Sequence, residues 1–152
     1  MARASVVVDG RRRFSSDPWD GYPAARDRLL DAIASNGLGS CVVLSGDAHA
    51  AFACDLKRDF GDRRAQPIAT EFCGTSITTR GRSQAAIDAI LRDNPHMHFG
   101  DSRHRGFIVV DVNPDSCIVQ LRTIQDPTDR HTSVSTAANF RVDAGRPGAQ
   151  RI

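Results

Sequence analysis

The sequence predicts a mixed α/β (α+β) fold in which helices pack on one side of a largely β layer. Three observations predict it. Ala25, Leu29, Leu30, Ala32 and Ile33 form an apolar stripe at helical spacing. Residues 41–44, Cys-Val-Val-Leu, are a continuous apolar run between glycines, which suits a central strand buried on both faces. Residues 107–112 and 117–124 are apolar-rich segments around Asn113-Pro-Asp-Ser116, where Pro and Asp favour a tight turn and hence a hairpin.

Taken in order, Ser5-Val-Val-Val8 is a short strand and residues 11–17 a polar loop. Pro23 sits well in the first turn of the helix that carries the stripe, and Gly37 is its expected C′ stop. Beyond the 41–44 run, Ala50, Phe52, Cys54 and Leu56 alternate with Ala51, Ala53, Asp55 and Lys57. Period two argues for a strand. Residues 58–66 are charged and read as a surface loop, 67–77 as extended chain and 78–81 as a turn. Ser83 is the N-cap of a second helix with Ala86, Ile87, Ile90 and Leu91 on one face, which Asn94-Pro95 ends. Residues 125–136 connect the hairpin to a last strand around Phe140-Arg-Val142. Val42, Val43, Phe52, Val109 and Ile118 are expected among the most buried side chains, with residues 113–116 exposed.

Composition bounds the function. At 152 residues and 40% hydrophobic the chain suffices for one core and is short for two. A net charge of +2 implies no long-range attraction to nucleic acid or membrane. Arg11-Arg12-Arg13 reads as a solvated loop, since no aromatic platform accompanies it. No apolar run approaches the roughly 20 residues of a bilayer span. Val6-Val7-Val8 is too short for a signal-peptide core and Asp9 interrupts it, so a chain expressed as given is expected to be cytoplasmic. Cys41, Cys54, Cys73 and Cys117 lack the spacing of a zinc knuckle or redox pair; Cys41, Cys54 and Cys117 read as small buried hydrophobes, and Cys73, beside Gly74, as a packing residue with a functional role as its alternative.

The chemistry concentrates in Ser45-Gly-Asp-Ala-His49, directly after the apolar run. Asp47 and His49, two residues apart at a strand end, can aim a carboxylate and an imidazole into one crevice, a donor pair suited to metal-assisted phosphoester hydrolysis. His96 and His98 share that spacing, and a strand would put both on one face, so a metal pair is geometrically possible there. His104 and His131 stand in charged loops. For Asp101, Arg103 and Arg105 ion pairing is the default reading.

Asp17-Pro-Trp-Asp-Gly-Tyr-Pro23, Gly46-Asp-Ala-His49, Ala69-Thr-Glu-Phe-Cys-Gly-Thr-Ser-Ile77, Asn94-Pro-His96, Asp101-Ser-Arg-His-Arg-Gly-Phe107 and Gly145-Arg-Pro-Gly148 follow one another in that order. From about Phe14 onward the chain thereby resembles the C-terminal part of the alkaline phosphatase D (PhoD-like) family. The resemblance implies half of a metallophosphatase-type α/β/β/α sandwich. Residues 1–152 would be a single segment of the catalytic domain, whose upstream part is absent and would be its partner, and one sheet face would keep an uncovered apolar patch. It implies hydrolysis of a phosphate ester by a metal-activated water, with Asp47 and His49 as catalytic metal ligands and calcium and iron as the ions. Trp19, Tyr22 and Asn94 would lie beside the substrate, Tyr22 donating its hydroxyl to a phosphate; alternatively Trp19 and Tyr22 pin the helix entry by packing. Nucleic acid is implied only as a possible substrate. The parent would be exported, whether periplasmic, cell-surface or secreted. The isolated chain is expected to be weakly active or inactive. The alternative function is a non-catalytic fragment or interaction module that keeps the fold without a complete metal cluster.

Overall fold

Two short strands open the chain, β1 (Ser5–Val8) and β2 (Arg11–Phe14), paired antiparallel around Asp9 and Gly10. Both turn residues have positive φ, 51° and 71°. Asp-Gly is the pair that a two-residue type I′ turn favours, so the residues read as a polar loop continue a hairpin instead. The computed structural model describes residues 4–38 and 40–152.

A single 3-10 turn (Trp19–Gly21) leads into α1 (Pro23–Ser35), with Pro23 in the first turn and Gly37 beyond the end at φ 63°. Then come β3 (Cys41–Ser45), β4 (Ala51–Leu56), β5 (Ala69–Cys73), α2 (Gln84–Asp93) and β6 (Met97–Asp101). Ser83 caps α2 by accepting from the Ala86 N–H through its hydroxyl. The remaining strands are β7 (Arg105–Val112), β8 (Ser116–Ile124), β9 (Val134–Asp143) and β10 (Arg146–Arg151). Strands β3, β5, β4 and β6, in that order, make a mixed sheet in which only the β3–β5 pairing is parallel. An antiparallel sheet follows the order β10, β9, β8, β7.

Strand parity sorts the mixed sheet into two faces. Cys54 and Leu56 of β4 turn toward the helices. Cys54 packs with Ile87 and Ile90 of α2, and Leu56 with Leu30 and Ile33 of α1. Ala51, Ala53 and Phe72 turn the other way, onto Val119, Leu121, Phe140 and Val142 of the antiparallel sheet. The result is three layers: helices, mixed sheet, antiparallel sheet. Both helices lie on one side, the α/β class that the sequence predicts. Among the described residues no helix is long and apolar enough to cross a membrane.

The expected core is corrected in detail. Val42 and Val43 are only half-buried because β3 is an edge strand, with β5 taking the central place. Phe52 and Ile118 are likewise half-buried, and Val109 is 41% exposed. In β7 it is Ile108 and Val110 that face the core, so the expectation is one residue out of phase, which in a strand reverses the face. Among residues 113–116, Asn113, Pro114 and Asp115 are exposed but Ser116 is buried, its N–H bonded to Asn113 Oδ1. The outer face of the antiparallel sheet carries Phe107 and Val109, yet their cross-strand partners are Arg122 and Gln120. That face is a checkerboard and not one apolar patch.

Strand β10, unexpected from sequence, joins the two sheets through side chains: Gly148 N–H donates to Thr70 Oγ1 (3.1 Å) and Ala149 N–H to Asp55 Oδ1 (3.0 Å).

Candidate functional site

The parallel strands β3 and β5 end side by side, and the chain leaves β3 through Gly46 into a tight turn. Asp47 and His49 both adopt positive φ, 68° and 51°. A residue with a Cβ rarely occupies this left-handed region, and such positions concentrate at functional sites. The turn borders a cavity of about 1040 Å³ whose walls come from the β1–β2 hairpin, residues 17–22, and the ends of β3, β4 and β5.

Asp47 lines this cavity together with Trp19 and Tyr22. Tyr22 is 62% exposed, which places it at the rim and away from the packing role that was its alternative. His49 is not among the lining residues; its carbonyl lies against residue 81, where any Cβ would come within 2.2 Å of the His49 oxygen. Gly81 is therefore needed for the close approach of the two backbones.

Among the apolar lining, which includes Phe52, Ile87, Ile90 and Met97, a buried carboxylate stands out. Glu71 is 3% exposed, and Ser45 Oγ donates to its Oε1 at 2.7 Å. This bond ties the last residue of β3 to its neighbour just before the Asp47 turn. Burial pushes the Cys73 thiol up, with Glu71 adding to the effect against a lowering hydrogen bond from Ser45. The Cys73 Sγ lies 3.6 Å from the Gly46 carbonyl.

The Trp-Asp-Gly-Tyr motif divides its labour. Asp20 is buried, accepting from the Ala4 N–H at 2.9 Å and pairing with the buried Arg26, whose guanidinium lies over the Phe60 ring. A Cβ on Gly21 would fall 1.8 Å from the Ser16 carbonyl oxygen. Asp20 and Gly21 thus shape the loop that carries Trp19 and Tyr22 to the rim. Sequence reasoning missed Asp20 and Glu71 as supports. The available signal was an acidic residue inside each apolar-flanked motif.

Asn94 does not line the cavity. It is 2% exposed and clamps β1 to α2: Oδ1 accepts from the Ser5 N–H and hydroxyl, and Nδ2 donates to the carbonyls of Ser5 and Ile90. The amide has no valence left for a substrate. His96 and His98 do not act as a pair either. His96 is buried against the Phe60 ring, and His98 Nε2 lies 2.7 Å from Asp55 Oδ2. Asp101 pairs with Arg103 at 3.1 Å as the sequence suggests, and also with His104 at 2.9 Å, which the sequence reads only as a residue of a charged loop, whereas Arg105 donates to the carbonyls of Thr79 and Ser102. Burial alone would raise the Asp101 carboxyl, but the hydrogen bonds from His104 and Arg103 together outweigh it and hold it low.

Asp47 and His49 have the donor chemistry for a hard or borderline ion. Their number is insufficient: among the described residues no group of three or more His, Cys, Asp or Glu side chains could hold a metal.

The comparisons with known proteins agree with one another. The family model for PhoD-like phosphatases matches residues 2–121. Alkaline phosphatase D of Bacillus subtilis (strain 168) is 36% identical over 142 residues, which cover 91% of this chain and 24% of that protein. A solved structure of PhoD superposes with a TM-score of 0.88 at 33% identity, covering 99% of this chain and 29% of that one. The chain therefore spans about a quarter of the length of the curated relative that it matches.

Proposed function

Because the chain belongs to the PhoD-like phosphatase family, we propose that it supplies one part of the catalytic centre of a metal-dependent phosphoester hydrolase. The observation that carries this reading is the Asp47 turn, held at positive φ at the end of β3 and opening on the cavity beneath Trp19 and Tyr22.

Calcium and iron, when bound, would supply Lewis-acid polarisation of the phosphoryl oxygens, an activated water and neutralisation of the leaving group. The chain's own residues do the rest of their share. Asp47 offers a carboxylate and His49 an imidazole nitrogen toward the ions. Tyr22 donates its hydroxyl to a phosphate oxygen at the rim, and Trp19 walls off the site beside it. Glu71, acting through the Ser45 hydroxyl, fixes the strand end from which the turn departs. The remaining ligands come from the rest of the catalytic domain, which adds beside β3, whose outer edge is unpaired among the described residues.

Metal analysis of the chain, with assays on an aryl phosphate monoester and diester, tests the reading. Weak metal uptake that falls in Asp47→Asn and His49→Ala is expected, with little or no turnover by the chain alone and turnover when the rest of the domain is added. Turnover by the chain alone, abolished by His49→Ala, would overturn the dependence on outside ligands. An assembled domain indifferent to both substitutions would overturn the ligand assignment. The shortage of donors favours a second reading, an interaction module without chemistry, and an assembled domain that takes up no metal would establish it.

A further inference from the structure

A second cleft, of about 370 Å³, lies beside the first and has a different character. Arg80, Arg82, Arg103, His104 and Arg105 line it, and no Asp or Glu does. Guanidinium groups bind phosphate through paired N–H donors, with charge assistance that neutral donors lack.

The charge is not cancelled from behind. Arg103 and His104 share one carboxylate, Asp101. Asp126, next in sequence to the lining residue Gln125, turns its carboxylate to Thr128. Arg105 is only 7% exposed, and its partners are two carbonyl oxygens, dipoles without a counter-charge. Arg80 and Arg82 are exposed and make no ion pair among the described residues. A concave site with this surplus of cationic groups concentrates anions. Its volume is at the low end of the roughly 300–1,000 Å³ typical of ligand pockets, enough for one phosphate group and its linkage.

Position then says what the anion belongs to. Arg82 lines both this cleft and the cavity that holds Asp47. Its neighbour Gly81 rests on the carbonyl of His49. The cationic cleft thus shares Arg82 with the wall of the candidate active site and is tied to it through the Gly81–His49 contact.

We propose that the Arg80–Arg82–Arg105 cleft is a subsite for a second, non-reacting phosphate, so that the preferred substrate carries at least two phosphate groups. This assignment rests on the hydrolase reading for the word substrate, while the anion site itself stands on the cleft. Titration of the chain with inorganic phosphate, followed by NMR and calorimetry, tests the site. Phosphate should shift the resonances of Arg80, Arg82 and Arg105. Arg80→Ala with Arg82→Ala should weaken binding at least tenfold, while Arg28→Ala on the exposed face of α1 leaves it unchanged. Should the double alanine variant misfold, the double lysine variant keeps the charge and should still lose affinity with the bidentate fork. Unchanged affinity in both would overturn the site.

The assembled domain tests the substrate class. An alkanediol bisphosphate should show a lower KM than a simple alkyl phosphate, and the advantage should shrink at least tenfold in the double variant. Phosphate binding at the cleft with no turnover by the assembled domain would overturn the hydrolase reading and with it the subsite. Turnover with no bisphosphate advantage would overturn the subsite alone.

Discussion

Asn94 shows how much a single side chain can carry at the residue scale. Its amide makes four internal hydrogen bonds, three of them to Ser5 across 89 residues of sequence and one to the Ile90 carbonyl. Asn94→Ala would strand the Ser5 N–H and carbonyl in a buried place, and we expect a loss of about 2–3 kcal/mol in urea unfolding, in line with the cost of unsatisfied buried groups. Metal uptake by Asp47 and His49 should be unaltered. His98 gives a pH-dependent counterpart. The hydrogen bond to Asp55 raises its pKa from the ordinary 6.5, against the opposing effect of burial. A raised folded pKa means stability that is fully present below 6.5 and lost as pH rises through the folded value. Denaturation midpoints should therefore fall across that window, and Asp55→Asn should remove the dependence. Neither role is legible in sequence. Asn94 and His98 each look like candidate site residues, and their partners lie 89 and 43 positions away.

Elements were easier to read than their faces. Helix α2 is announced by its cap and stripe, and Ser83→Ala should cost about 1 kcal/mol in the same unfolding measurement. Strand β7 is equally plain as a strand, but an unbroken run such as Phe-Ile-Val-Val offers no alternation from which to choose the inward side. Only pairing with β8 decides it, putting Ile108 opposite Leu121 and Val110 opposite Val119. Only β1 of the first hairpin is legible as a strand, because the charge-rich residues 11–14 pass for a loop although Asp9-Gly10 marks the turn. Strand β10 is not legible, because Arg-Pro-Gly-Ala-Gln-Arg has no apolar face and owes its place to Thr70 and Asp55. The loop before α1 depends on Gly21. Gly21→Ala must displace the backbone at Ser16, so Trp19 and Tyr22 should shift, detected as altered Trp19 fluorescence.

At the scale of the molecule, β3 is one of the edge strands that no further strand covers among the described residues. Leu44 is exposed on β3 although its run reads as buried strand, and that mismatch between composition and position is what an unpaired edge looks like. If the rest of the domain adds there, hydrogen exchange at the outward amides of β3 should slow on mixing while that in β8 stays the same. Unchanged exchange throughout β3 would count against that edge as the junction. The candidate site divides the same way: Asp47, Trp19 and Tyr22 were visible in motifs, while the arginine cleft draws on segments on either side of α2 and on the end of β8, and no local pattern assembles it.

The clamps at the two ends have a consequence for how the chain is made. Ser5 waits for Asn94, and Asp55 for Ala149, separations of 89 and 94 residues. Synthesis runs from the amino end at about 5–20 residues per second, so β1 leaves the ribosome several seconds before its anchor does. During that interval its valines have only β2 to pair with, and the mixed sheet lacks its β10 fastener until Gly148 and Ala149 emerge. Closing such long loops comes late, since their entropy must be overcome before the contacts form. A nascent chain stalled before residue 94 should therefore be cleaved readily by protease within β1, and one released at full length should not.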